Sequence, residues 1–215
     1  MRWVTFDCFG TLVDWRHGIL GSAELIAPGQ GVRLLEAYNR HEHVVQAESP
    51  AMRYRLVLAE ALRRACAEEK VPLAADDASV LGATLPYWPV FPEVGAKLGA
   101  LREAGWRLAL LTNCDRDLIA ETRRRLPVPF DAVVTSEDAG AYKPADAHFE
   151  LFRGSYEPEV WVHVAQSYFH DMEPAHRLGL PRVWVNRHGQ RPAKPSIVPH
   201  VRPDLHGLLA AVEAA

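Results

Sequence analysis

Five short runs of apolar, mostly β-forming residues punctuate the chain at positions 2–6, 107–111, 132–135, 160–164 and 182–185, and each gives way to polar or turn residues. Runs of this length without polar alternation are the signature of strands covered on both faces. Helical segments lie between them. DRDLIAETRRRL begins at Asp115 with an acid and closes on arginines, which suits its own helix dipole, and EPAHRLGL follows the fourth run. Strands alternating with helices in this way predict an α/β fold, a doubly wound, Rossmann-like parallel sheet. Ligands of such sheets bind beyond the carboxyl ends of the strands, so Asp7, Thr112, Asn113, Lys143 and Asp171, each just after a strand, are expected to converge.

Between the first and second runs lies a stretch with no comparable strand. ELIAPGQGVRLLEAYNRHEHVVQAE and MRYRLVLAEALRRACAEEK carry apolar residues at three- and four-residue steps, the pattern of amphipathic helices. A crossover needs only a dozen or so residues. The excess predicts a helical cap over residues 15–89 inserted into a core formed by residues 1–14 and 90–215, and this division accounts for a length of 215 residues. The Pro-rich segment at 86–94 reads as the return hinge.

Composition narrows the function classes. A formal net charge of −3 suggests neither a nucleic-acid groove nor attraction to an anionic membrane. Cys8, Cys66 and Cys114 are odd in number and far apart, which argues against a disulfide framework and for a reducing, cytoplasmic setting. Acidic residues interrupt the apolar N-terminus, so it reads as neither signal peptide nor membrane span. Ten histidines without ligand spacing do not indicate zinc, and His41 and His43 are two apart and share no helix face.

Four segments carry chemistry in order: FDCFGTLVD at 6–14, LLTN at 110–113, Tyr142-Lys143-Pro144, and QSYFHD at 166–171. Together they resemble the haloacid dehalogenase superfamily of aspartate-nucleophile hydrolases. The resemblance implies Asp7 as nucleophile. A carboxylate desolvated at a strand end can form an ester or acyl-phosphate, and Lys143 beside it would keep it ionised. Gly10 permits the tight turn after it, while Thr11, Thr112 and Asn113 would orient nucleophile and leaving group.

Two departures from the phosphatase members point to the reaction. Phosphatases carry a second Asp two positions after the nucleophile to protonate an alcohol; here that residue is Phe9, which cannot donate a proton. Gln166 stands where an acid usually helps hold Mg²⁺. The chain is therefore most similar to the L-2-haloacid dehalogenases. That resemblance implies metal-free displacement of halide from a small anionic 2-haloacid, with Phe9 at the substrate, then ester hydrolysis by water activated near Asp171. Asp171 orienting Lys143 or capping a helix is the alternative. Arg40 is the nearest candidate for a cap arginine facing the halide, with Arg53 and Arg55 as alternatives. Ser167 would meet the substrate carboxylate, although the family's Ser-Ser-Asn run is absent.

Trp88 and Phe91 read as packing of cap against core, or as pocket lining. Cys8 and Cys114 read as small buried fillers. Two other functions stay open, a Mg²⁺-dependent phosphatase of a small metabolite and a binding protein that keeps the fold without catalysis. The resemblance also allows a homodimer through the cap.

Overall fold

Strand β1 (Arg2–Phe6) is exposed only at Arg2, and β2 (Arg107–Thr112) and β4 (Val160–Ala165) repeat the pattern, exposed at the first residue and buried over the rest. The computed structural model describes all residues, Met1–Ala215. With β3 (Ala132–Thr135), β5 (Arg182–Val185) and β6 (His200–Arg202), these strands form one parallel sheet in the order β3-β2-β1-β4-β5-β6. The order reverses between β1 and β4, so the crevice for a ligand opens where those two strands end. Strand β6 escapes a reading by apolar runs. Its His-Val-Arg sequence lies at the sheet edge, paired only to β5, and none of its residues is buried.

In chain order the helices are α1 (Trp15–Ile26), α2 (Gly31–Glu48), α3 (Tyr54–Glu68), α4 (Val80–Thr84), α5 (Val94–Glu103), α6 (Arg116–Arg123), α7 (Ser136–Ala139), α8 (Ala147–Tyr156), α9 (Glu173–Arg177) and α10 (Leu208–Glu213). Contacts divide the chain into two units. The α/β unit comprises Met1–Val13, Val90–Asn113 and Leu126–Ala215, and the helical unit comprises Asp14–Pro89 with Cys114–Arg125.

The α/β unit is built on a cluster in which Trp3, Ala109, Leu111 and Val134 of the sheet meet Phe149 and Phe152 of α8. In the helical unit, α2 buries Leu34, Leu35, Tyr38 and Val45, and α3 buries Val57, Leu58, Leu62 and Ala65, the three- and four-residue steps of facing helical stripes. Trp88 belongs to this unit. A Cβ on Gly18 would lie 2.2 Å from Trp88 Cγ, so α1 accommodates the indole only because residue 18 is glycine. Phe91 belongs to the α/β unit, where the Arg187 guanidinium lies 3.6 Å from its ring centre.

The sequence reading places the segment after Asn113 in the core; its contacts group it with the helical unit instead. The reason is Asp115. Its buried carboxylate accepts from Tyr54 N at 2.7 Å and Arg55 N at 3.0 Å, capping the first turn of α3 from outside that helix. Asp115 makes no side-chain cap on α6, the helix whose dipole it was expected to serve.

Candidate active site

Asp7 is the first residue past β1, and its backbone N–H donates to Val164 O at 3.2 Å, carrying the β1–β4 pairing one step beyond the strand. The chain then turns sharply. Gly10 adopts φ 103°, and the N–H groups of Leu12 and Val13 both donate to Cys8 O. This turn returns Thr11 to Asp7: its hydroxyl donates to Asp7 Oδ2 at 2.9 Å and accepts from Gln166 N at 2.9 Å. The direction of both bonds is fixed, because a backbone N–H cannot accept.

Lys143 is 1% exposed and spends all three ammonium protons, on Asp7 Oδ1 at 3.0 Å, Asp171 Oδ1 at 2.7 Å and Leu111 O at 2.8 Å. Asp171 sits in a single π-helical turn, Tyr168–Met172, whose start is capped by the Ser167 hydroxyl accepting from His170 N at 3.0 Å. The turn after β1, the loop after α7 and the π-turn after β4 therefore bring Asp7, Thr11, Lys143 and Asp171 into one hydrogen-bonded chain.

Electrostatics separate the two carboxylates. Burial pushes the Asp7 carboxyl above the ordinary carboxylate value; Lys143 opposes this without cancelling it, and Asp171 adds to it. Burial would raise Asp171 too, but Lys143 and the hydrogen bond from His163 outweigh it and hold that carboxyl well below its usual range. Burial works against the Lys143 ammonium, yet Asp171 and Asp7 together keep it charged beyond the ordinary lysine range. The pair titrates as a unit, with Asp171 the more acidic member. Lys143 lowers the Asp7 carboxyl, as expected of a neighbouring cation, against the burial that raises it.

Asp7 and Asp171 already share one cation, the Lys143 ammonium, and Asp171 Oδ1 also accepts from His163. Phe9 and Gln166 contribute no carboxylate, and no group of three or more His, Cys, Asp or Glu side chains is arranged to hold a metal.

Other predicted site residues lie where their bonds explain them. Asn113 clamps the Lys143 backbone, donating through Nδ2 to Lys143 O at 3.1 Å and accepting from Lys143 N at 2.7 Å. These two bonds position the lysine. Ser167 is a turn cap. Thr112 is buried, and its hydroxyl has no hydrogen-bond partner within the protein. Phe9 is half-buried and bridges to Val13 within the turn. Arg40 is exposed and donates to Glu68 at 2.5 Å and Glu69 at 3.3 Å, while Arg53 and Arg55 pair with Asp117 at 3.0 and 2.5 Å. Each candidate arginine is thus neutralised by a carboxylate of its own unit.

Sequence reasoning missed a second layer. His163, fully buried in β4, contacts Asp171 Oδ1 through Nε2 at 3.0 Å and Thr5 Oγ1 through Nδ1 at 2.9 Å. His148 donates from Nε2 to Thr112 O at 3.1 Å; burial, with the Lys143 charge, pushes it down to about 3, so it is neutral. Arg187 donates to Thr11 O at 2.8 Å and pairs with half-buried Glu93 at 2.8 Å, tying the turn after Asp7 to the segment after Val90. The available signal was a polar residue inside an otherwise apolar strand, which requires a partner. Thr5 and His163 both meet that description.

No helix is long and apolar enough to cross a membrane. Comparison with known proteins matches residues 1–176 to the family model of haloacid dehalogenase-like hydrolases. The chain is 29% identical to haloacetate dehalogenase H-2 of Moraxella sp. (strain B), with 86% of each chain covered. It is 26% identical to (S)-2-haloacid dehalogenase of Pseudomonas sp. (strain YL), covering 88% of this chain and 84% of the relative. A solved L-2-haloacid dehalogenase, 26% identical, superposes with a TM-score of 0.87 over 99% of both chains.

Proposed function

Because the chain belongs to the haloacid dehalogenase-like hydrolase family, we propose that it removes halide from short 2-haloalkanoic acids without a metal, giving 2-hydroxyacids. The observation that carries this reading is Phe9, an aromatic ring two residues past Asp7, where an alcohol leaving group would require an acid. Chloride and bromide leave with the bonding electron pair and need no proton, so Phe9 costs a dehalogenase nothing. The haloacetate and (S)-2-haloacid dehalogenases among its relatives support the same reaction class.

In the first half-reaction a carboxylate oxygen of Asp7 attacks C2, a carbon–oxygen bond forms, and the carbon–halogen bond breaks with inversion. Thr11 and Lys143 hold the Asp7 carboxylate in a fixed plane for that attack. In the second, water adds to Cγ of Asp7 while its proton passes to Asp171. The tetrahedral adduct then expels the 2-hydroxyacid alkoxide, which takes the proton back, and the second water proton, left on Asp7, is released to solvent to restore the carboxylate. The original Asp7 oxygen leaves in the product and a water oxygen replaces it. Lys143 faces both carboxylates throughout and stabilises the adduct's charge. Buried thiols and a near-neutral surface fit a cytoplasmic enzyme acting on a small anion.

Halide release from chloroacetate and 2-chloropropionate in EDTA tests the reading. Turnover is expected, and no release from any short haloacid would sink it. Hydrolysis of p-nitrophenyl phosphate that rises with Mg²⁺ would instead favour a phosphatase. A single turnover in ¹⁸O-water is expected to give unlabelled product; label there would rule out the ester.

A further inference from the structure

His163 is the one imidazole in direct contact with the catalytic carboxylates' hydrogen-bond chain, and nothing in the reaction above uses it. It lies opposite Thr5 in the β1–β4 register, fully buried, with the Phe149 ring edge-on at 5.0 Å between centroids. Asp171 Oδ1 accepts, so Nε2 carries the N–H that donates to it at 3.0 Å. Nδ1 lies 2.9 Å from Thr5 Oγ1, which also accepts from Trp161 Nε1–H at 2.8 Å.

This arrangement makes the two oxygens of Asp171 unequal. Oδ1 accepts from both Lys143 and His163, whereas Oδ2 is buried with no hydrogen-bond partner within the protein. A carboxylate held by Lys143 alone could rotate about its χ2 and exchange its oxygens; two donors on one oxygen fix the plane. We propose that His163 is a positioning residue for the second half-reaction, pinning Oδ1 of Asp171 so that Oδ2 is the oxygen that takes the proton from water attacking the Asp7 ester. Thr5, itself held by Trp161, acts behind it by orienting the ring. The inference rests on the dehalogenase reading and adds a division of labour: displacement of halide uses Asp7 and Lys143, and only ester hydrolysis depends on the imidazole.

Rapid-quench kinetics with 2-chloropropionate test it, with intact-protein mass spectrometry to follow the ester. His163→Leu is expected to keep a halide burst of about one per protein, then turn over about 10–100-fold more slowly, the size of one charge-assisted hydrogen bond, while the ester adduct accumulates. His163→Gln, whose amide can supply an N–H toward Oδ1, is expected to restore hydrolysis. Should His163→Leu fail to fold, Thr5→Val carries the test, with ester accumulation in the same direction. Equal slowing of both half-reactions with no adduct would mean a merely structural imidazole and would overturn the proposal, as would unchanged hydrolysis in a folded variant. Absence of any halide release by the unsubstituted chain is a different result, which fails the dehalogenase reading and this inference with it.

Discussion

The α/β unit and the helical unit use charge in opposite ways. In the first, Lys143 is buried between two carboxylates with every ammonium proton committed. In the second, Arg33, Arg40 and Arg64 lie on exposed or half-exposed surface against Glu69, Glu68 and Glu48. Water screens the surface pairs, so they contribute little and commit the chain to no chemistry. The buried set is different: each charge there depends on its partners, and its acidities are displaced from their usual values. The ionic group of the α/β unit is therefore the one fit for catalysis, and substitutions in the two units separate the cases.

The largest effect belongs to Asp7. Asp7→Asn is expected to lower kcat by about 10⁴-fold or more, since an amide is a far poorer nucleophile and binding alone remains. A variant of full activity would break the contrast at its centre. Lys143→Met comes next. It strands two buried carboxylates, and a loss of about 3–5 kcal/mol is expected in denaturant unfolding near neutral pH. The pH dependence gives the sign. In the unsubstituted chain Asp171 is held below its unfolded value of 3.8, so its contribution is present above that pH and is lost as pH falls. Without the ammonium, burial is opposed only by the His163 and Thr11 hydrogen bonds and raises the carboxyls, so the variant's stability should fall as pH rises from about 4 towards neutral. A deficit that does not grow with pH would mean that the ammonium is not the carboxylates' counter-charge.

How far each unit was legible in the sequence follows from the same contrast. Asp7, Lys143 and Asp171 could be found because a parallel sheet buries its strands as apolar runs and delivers the residues after them to one edge. Position along the chain stood in for position in space. His163 and Thr5 could not be found that way, because a lone polar residue within a run says that a partner exists without saying which. Strand β6 was hidden because an edge strand has no need of an apolar run. In the helical unit, periodicity identified the buried faces but left open the partners of the arginines. Nor could it reveal that Asp115, at the head of α6, caps α3, a relation set by packing between segments some 60 residues apart in sequence, 61 for Tyr54 and 60 for Arg55.

Asp115 provides the next test, since it is the buried carboxylate of the helical unit, held by two backbone N–H groups and by the Arg55 guanidinium at 3.4 Å. Asp115→Ala leaves two N–H groups at the start of α3 without their acceptor, and a loss of about 2 kcal/mol is expected in chemical denaturation. A change within error would mean that α3 needs no external cap and would remove the physical reason for grouping residues 114–125 with the helices.

A smaller effect is expected at Thr11, whose hydroxyl lowers the Asp7 carboxyl against the burial that raises it. The acid limb of kcat/KM should lie above the ordinary carboxylate value of 3.8, activity falling as pH drops through it, and Thr11→Val should move that limb to higher pH. A limb that moves down would reverse the assigned role of the hydroxyl.

The smallest effect is expected at Arg40. Family resemblance directs attention to an arginine of the early cap helices as the group that meets the departing halide, and Arg40 is the nearest by position. Its guanidinium, however, is exposed and already shared by Glu68 and Glu69, and to meet an anion it would have to give up both carboxylates. Arg40→Ala should therefore leave kcat/KM within about twofold and the denaturation midpoint within measurement error, as expected for a screened surface pair. A loss of about tenfold or more in kcat, with KM little changed, would show an interaction made in the transition state. The helical unit would then hold a catalytic charge of its own, and the division between a chemical unit and an electrostatically neutralised one would fail at that residue.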